Sequence, residues 1–156
     1  MNEINIIEAD FSNDNHSKAI LKILNTYAED PMGMNMPLDD DVKKNLIQKL
    51  SHFPLAVSLI AFDGKQPAGI ANCFYGFSTF SAKKILNIHD LAVNPSYRRM
   101  GIGKMLIRAV EKKALESDCC KITLEVREDN RARTLYEREG FEYGEPTMYF
   151  MTKELE

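Results

Sequence analysis

The sequence has no tryptophan, only three cysteines, no basic excess and no long apolar run. Each absence excludes something. Cys73 stands alone and Cys119 adjoins Cys120, an odd count without CxxC spacing, so neither a disulfide framework nor a zinc site is expected. The thiols read instead as small hydrophobes of a reduced, cytoplasmic protein. No stretch approaches the roughly 20 apolar residues of a membrane helix, so no membrane partner is expected. Residues 1–5 lack a charged segment leading into an apolar one, so no secretory signal is expected. Eight glycines and six prolines leave no collagen-like or long-linker character. Lys+Arg number 20 against 23 Asp+Glu, a formal −3, which argues against a nucleic-acid partner.

What is present is an ordinary globular composition, 44% apolar and 28% charged. A chain of 156 residues is expected to form one domain, 1–156. A chain of that size buries roughly 68–70% of its unfolded surface, so it needs no staple.

Residues 4–9 read as a strand. Ser12, Asn13 and Asp14 offer N-caps for a helix whose apolar face carries Ala19, Ile20, Ile23, Leu24, Tyr27 and Ala28. Pro31 ends it. Asp39, Asp40 and Asp41 open a second helix, with Val42, Leu46 and Leu50 as its expected buried face. Residues 55–62 and 68–77 are nearly continuous apolar strands joined by an Asp63-Gly64 hairpin signal. Residues 85–93 make a third strand of this meander. A helical stripe follows from about Gly101 to Ser117, then an alternating strand at 121–127. A short helix carries Leu135 and Tyr136 inward, and Gly140 stands where a C-capping glycine belongs. Residues 141–143 and 147–152 read as two final strands. The order is β-α-α-β-β-β-α-β-α-β-β, an α+β fold with a mixed central sheet.

The most informative stretch runs from Leu91 to Lys104. A strand ends, a basic turn follows, and two glycines open a helix. Such an arrangement suits an anion: amides at a helix N-terminus lack intrahelical partners, and glycine lets a phosphate approach the backbone. Arg98, Arg99 and Lys104 add charged donors. Two other phosphate motifs fail. GxGxxG requires a third glycine where Leu106 stands, and the P-loop requires Ser or Thr where Met105 stands.

Arg98-x-x-Gly101-x-Gly103 resembles the acetyl-CoA pyrophosphate signature of the GNAT-type N-acetyltransferases. The likeness extends over essentially the whole chain, with residues 88–114 the most diagnostic and 130–141 similar to the family's following helix. The resemblance implies a GNAT-like fold and an N-acetyltransferase that uses acetyl-CoA, needs no metal, and acetylates a primary amine of a small molecule or peptide in a ternary complex. It is compatible with a homodimer. It implies that the backbone of Met100, Gly101, Ile102, Gly103 and Lys104 cradles the pyrophosphate. The strand segment Leu91-Ala92-Val93 would lie along the pantetheine arm. For that the strand must splay from the next one, with a bulge near its end. Tyr136 matches the family tyrosine that protonates the CoA sulfur. A phenol, with a reference pKa near 10, is protonated at neutral pH; a buried packing tyrosine is the plain alternative.

The base has three candidates: His89, Asp90 and, on the following strand, Glu125. His89 has the right intrinsic acidity for the task. Neighbouring strand residues face opposite ways, so only one of His89 and Asp90 reaches the acceptor unless the bulge re-aims them. A hydrogen-bonded structural histidine is the alternative for His89. His16, at a helix start, and His52, in a loop, have weaker cases. The family asparagine lies seven residues before the tyrosine; here Asp129 stands there and Asn130 is one residue late. Either Asn130 shifts in the loop to fill the role or Asp129 takes its place. A non-catalytic acyl-CoA sensor on the same fold is the competing function, and a nucleotide-phosphate binder a third. Residues 1–90 hold 8 basic and 11 acidic side chains, and residues 91–156 hold 12 of each. The acidic excess therefore falls in the half expected to wall the acceptor, although helix capping explains its aspartates as well.

Overall fold

A computed structural model describes residues 2–155. Two compact units are formed, one ending at Leu124 and the other starting at Glu125. In order, the first unit contains β1 (Ile4–Glu8), α1 (Asp14–Glu29), α2 (Asp40–Ser51), β2 (Ala56–Asp63), β3 (Gln66–Ser78), β4 (Lys83–Val93), a 3-10 turn (Pro95–Tyr97), α3 (Ile102–Glu116) and β5 (Cys119–Leu124). The second carries α4 (Ala132–Arg138). The α+β class and the mixed sheet are as the sequence leads one to expect. Among the described residues the sheet has five strands in the order β1-β2-β3-β4-β5. The first three pairings are antiparallel and β4–β5 is parallel.

Local chemistry accounts for these elements. The Asn13 side chain accepts from the amides of Asn15 and His16 and so starts α1. Helix α1 stops at Glu29, just before Asp30-Pro31. Asp63 pairs with Gln66, leaving a two-residue turn whose first member, Gly64, has φ +58°. Helix α4 ends on a Schellman motif. The Phe141 amide donates to the Tyr136 carbonyl at 3.0 Å, and the Gly140 amide to that of Glu137 at 3.1 Å. Gly140 sits at φ +90°, and the Tyr136 and Phe141 rings meet edge to face at 5.8 Å across the motif.

Helices cover both faces of the sheet of the first unit. Ala19, Ile20 and Ile23 of α1 form one cluster with Ile60, Ile70 and Ala92 from three adjacent strands. Ile47 of α2 packs against the same cluster. The opposite face belongs to α3. A Cβ on Gly69, next to Ile70, would stand 2.9 Å from the Ala92 carbonyl and 3.1 and 3.3 Å from Leu106 and Ile102. Gly69 therefore lets α3 lie close over β3 and β4.

Three expectations fail. The α2 stripe is not a buried face: Val42 is exposed, Leu46 and Leu50 are only half-buried, and the helix buries no residue fully. Periodicity shows which residues share a face, not how deeply that face is covered. The strand expected over 121–127 stops at Leu124, whose ladder partner Ile88 is the last β4 residue to pair with β5. The strands expected at 141–143 and 147–152 are absent. That segment has irregular backbone, and Met148, Tyr149, Phe150 and Met151 are exposed. A strand requires a ladder partner, and among the described residues of the second unit there is none.

Gly69→Ala should therefore push α3 outward. Urea unfolding should show a loss of about 1–3 kcal/mol, the usual range for overpacking. Unchanged stability would mean that α3 does not depend on this contact.

Candidate functional site

Strand β4 pairs with β3 along its whole length but with β5 only from Lys84 to Ile88. The β3–β4 register slips at the same point. Asn72 faces Asp90, Cys73 faces Ile88, and His89 is the extra residue. This is a β-bulge; the family resemblance implies one near the end of this strand, beyond Asp90, and here it falls at His89 itself. Beyond it, Leu91, Ala92 and Val93 keep β3 on one edge and have left β5 on the other. The Ala92 side chain is buried in the α1 cluster, while Leu91 and Val93 are half-buried.

The bulge changes which way two side chains point. Asn72 and Phe74 are two apart on β3 and share a face. Asp90 accepts a hydrogen bond from the Asn72 amide at 3.0 Å. The His89 ring packs edge to face on Phe74 at 5.6 Å, and Phe74 in turn meets Phe53 at 5.6 Å. His89 and Asp90 thus project to the same side, the α1–α2 side, although they are sequence neighbours. The exclusive choice posed by strand alternation does not arise. Glu125 lies past the end of β5 and is exposed, so the third candidate base is not on a strand.

Asn72 is 3% exposed and Ser58 is 2% exposed. The Ser58 hydroxyl donates to Asn72 Oδ1 at 2.7 Å, so a polar chain crosses β2, β3 and β4 to end on Asp90. Neither residue was picked out from sequence. The available signal was a polar side chain inside each of two otherwise apolar strands. On the other face, burial first and the Asp90 charge second push the Cys73 thiol up to about 12.

The turn after β4 leads into α3. Asn94 accepts from the Ser96 amide at 3.1 Å and shapes the 3-10 turn. Arg99 and Gly101 both have left-handed backbone, φ +63° and +81°. Gly101 is the N-cap of α3 and makes no side-chain cap hydrogen bond. The first intrahelical bond runs from the Met105 amide to the Gly101 carbonyl at 3.0 Å. The amides of Ile102 and Gly103 precede it and sit at the positive end of the helix. Helix α1 covers this end with Asn13; α3 has a glycine there and no such cover. Arg99, Met100 and Lys104 are exposed and Ile102 is buried beneath the turn. The Arg98 guanidinium donates to Asp30 at 2.7 Å and ties the turn to the end of α1. The Met32 amide, and then Arg98, hold the Asp30 carboxyl below its usual range.

In the second unit, Tyr136 lies on α4, half-buried, with its backbone held in the Schellman motif. Asn130 Oδ1 accepts from the Ala132 amide at 2.9 Å, next to the start of α4. Asp129 takes a two-pronged hydrogen bond from Arg127, at 2.9 and 2.8 Å, which lowers its carboxyl. Both candidates for the asparagine role thus have local partners. Among the described residues no cluster of His, Cys, Asp and Glu could hold a metal ion, and no helix is long and apolar enough to cross a membrane.

A mixed sheet split beside a helix N-terminus without a side-chain cap defines the site, and comparison with known proteins identifies the family. The model of the acetyltransferase (GNAT) family matches residues 20–141, and the chain belongs to that family. It is 35% identical over 88 residues to an uncharacterized N-acetyltransferase, YhfO, of Bacillus subtilis (strain 168), covering 56% of this chain and 59% of that one. It is 25% identical over 125 residues to the thialysine N-epsilon-acetyltransferase of Caenorhabditis elegans, covering 78% of this chain and 74% of that one. Among solved structures, a probable acetyltransferase superposes with a TM-score of 0.84 at 18% identity, covering 97% and 99% of the two chains. An aminoglycoside acetyltransferase from an uncultured soil metagenomic sample, in complex with sisomicin, gives 0.79 at 19% identity, covering 98% and 97%.

The thiol chemistry is checkable. At pH 8 a disulfide-exchange reagent should modify exposed Cys120 readily and leave Cys73 untouched until the protein unfolds. Rapid modification of Cys73 in the folded protein would contradict its burial.

Proposed function

We propose that the chain is an acetyl-CoA-dependent N-acetyltransferase whose acceptor is a primary amine of a small molecule or peptide. One observation carries the reading: β4 parts from β5 at the His89 bulge, and a helix N-terminus without a side-chain cap follows further along the chain, at Gly101. A pantetheine arm needs an open strand edge, and a pyrophosphate needs amides at a positive helix end. The family supports acetyl-CoA as the donor. The thialysine and aminoglycoside acetyltransferases to which the chain is similar support an amine acceptor.

In this reading the backbone from Met100 to Lys104 holds the pyrophosphate, with Arg99 and Lys104 as charged neighbours. Arg98, already bonded to Asp30, fixes the turn. The edge of Leu91–Val93 lies along the pantetheine arm. The acceptor enters from the α1–α2 side, where Asp90 draws a cationic amine and His89 takes its proton. The nitrogen then bonds to the acetyl carbon, the carbon–sulfur bond breaks, Tyr136 gives its phenolic proton to the thiolate, and the second proton shed by the nitrogen restores the phenol. The tyrosine role rests on its place in the family motif.

A screen of CoA thiol release across amines, amino acids, aminoglycosides and lysine peptides tests the reading. Turnover with at least one amine is expected; none would favour the acyl-CoA sensor. Tyr136→Phe should slow turnover about 100-fold, the low end for a general acid, with acetyl-CoA affinity little changed. Gly101→Glu should abolish acetyl-CoA binding in calorimetry. Gly101→Asn is the control, since asparagine tolerates left-handed backbone and adds no charge. Normal binding by the Glu variant would overturn the cradle assignment.

A further inference from the structure

We infer that Ser58 and Asn72 are positioning residues that aim Asp90 at the acceptor amine. The inference rests on the acetyltransferase reading and assigns two residues that it does not use. Ser58, Asn72 and Asp90 are direct ladder neighbours on β2, β3 and β4. Their hydrogen bonds run in one direction, hydroxyl to amide oxygen at 2.7 Å and amide nitrogen to carboxylate at 3.0 Å. Bonds aligned in this way strengthen one another.

The chain has a defined logic. An asparagine amide has one accepting end and one donating end. The Ser58 hydroxyl engages the oxygen of Asn72, which turns its nitrogen toward Asp90. A reversed amide would set its oxygen against the carboxylate and leave two acceptors facing each other. Asn72 thus holds Oδ2 of Asp90, and among the described residues Oδ1 has no hydrogen-bond partner. Oδ1 is the oxygen available to an acceptor ammonium. The Asp90 carboxylate is half-buried next to the bulge, and the extra residue His89 leans on Phe74 on the same face. Among the described residues His89 has a ring contact with Phe74 and no hydrogen-bond partner. The carboxylate is therefore the hydrogen-bonded, oriented group of the pair.

Burial of Ser58 and Asn72 also calls for an explanation. Two buried polar side chains, even when hydrogen-bonded, hold a sheet core together no better than two apolar ones of the same shape. Here both bonds lead outward to one partly exposed carboxylate.

Steady-state kinetics with thialysine as acceptor test the assignment. Asp90→Ala should raise the thialysine KM about tenfold or more, with the acetyl-CoA KM within about twofold. Ser58→Ala, two residues away from the acceptor, should raise the thialysine KM about fivefold, the factor that one hydrogen bond supplies. Ser58→Thr, which keeps the hydroxyl, should restore it. In an Asp90→Ala background Ser58→Ala should add nothing, because its effect passes through the carboxylate. Ser58→Cys serves if the alanine variant folds poorly. An unchanged thialysine KM in Ser58→Ala, an equal rise in both KM values, or an additive double variant would overturn the assignment. If the wild type turns over another amine of the screen and not thialysine, that amine takes its place in the same comparisons; if it acetylates no amine, the enzymatic reading fails separately. The network is then judged by NMR of the Asn72 side-chain amide. Slow exchange in the wild type, faster in Ser58→Ala and slow again in Ser58→Thr, upholds it; fast exchange in the wild type refutes it.

Discussion

A strand in the middle of a sheet has two edges, and each must be hydrogen-bonded to something. β4 meets that requirement on one edge for its full length and on the other only as far as Ile88. One extra residue, His89, produces the change, and three features follow from it. The Leu91–Val93 edge is parted from β5. β5 ends at Leu124 because its ladder ends there. His89 and Asp90 come to one face, where strand alternation would have separated them.

The rest of the first unit fixes that break in place. Ile60, Ile70 and Ala92 lie in register under α1, so β4 beyond the bulge is clamped from one side. Gly69 removes a side chain where α3 must approach, which brings the start of α3 close to the same part of β4. The Arg98–Asp30 pair joins the intervening turn to α1. That pair is half-exposed and contributes little to stability; its effect is to restrict the turn that leads into Gly101.

Much of this was legible in the sequence, for local reasons. The Asn13 cap, the Asp63-Gly64 turn and Gly140 are short-range signals, and each appears at its residue. The Gly101-x-Gly103 turn is likewise local, as is the apolar stripe of α3. What was not legible depends on register. Nothing within β4 says that His89 will be the residue left out of the ladder. Nothing within β2 or β3 says that Ser58 and Asn72 will stand side by side, although a lone polar residue in each apolar run was a hint. The alternation over 121–127 and the pattern of 147–152 describe faces that a strand could present. Whether a strand forms depends on a partner, and periodicity carries no information about partners.

Backbone hydrogen exchange with and without acetyl-CoA tests the central claim most directly. The account predicts slower exchange in two segments, 89–94 along the parted edge of β4 and 100–105 at the start of α3, with little change in β1 and β2. Protection confined to other segments, or no protection at saturating acetyl-CoA, would contradict it.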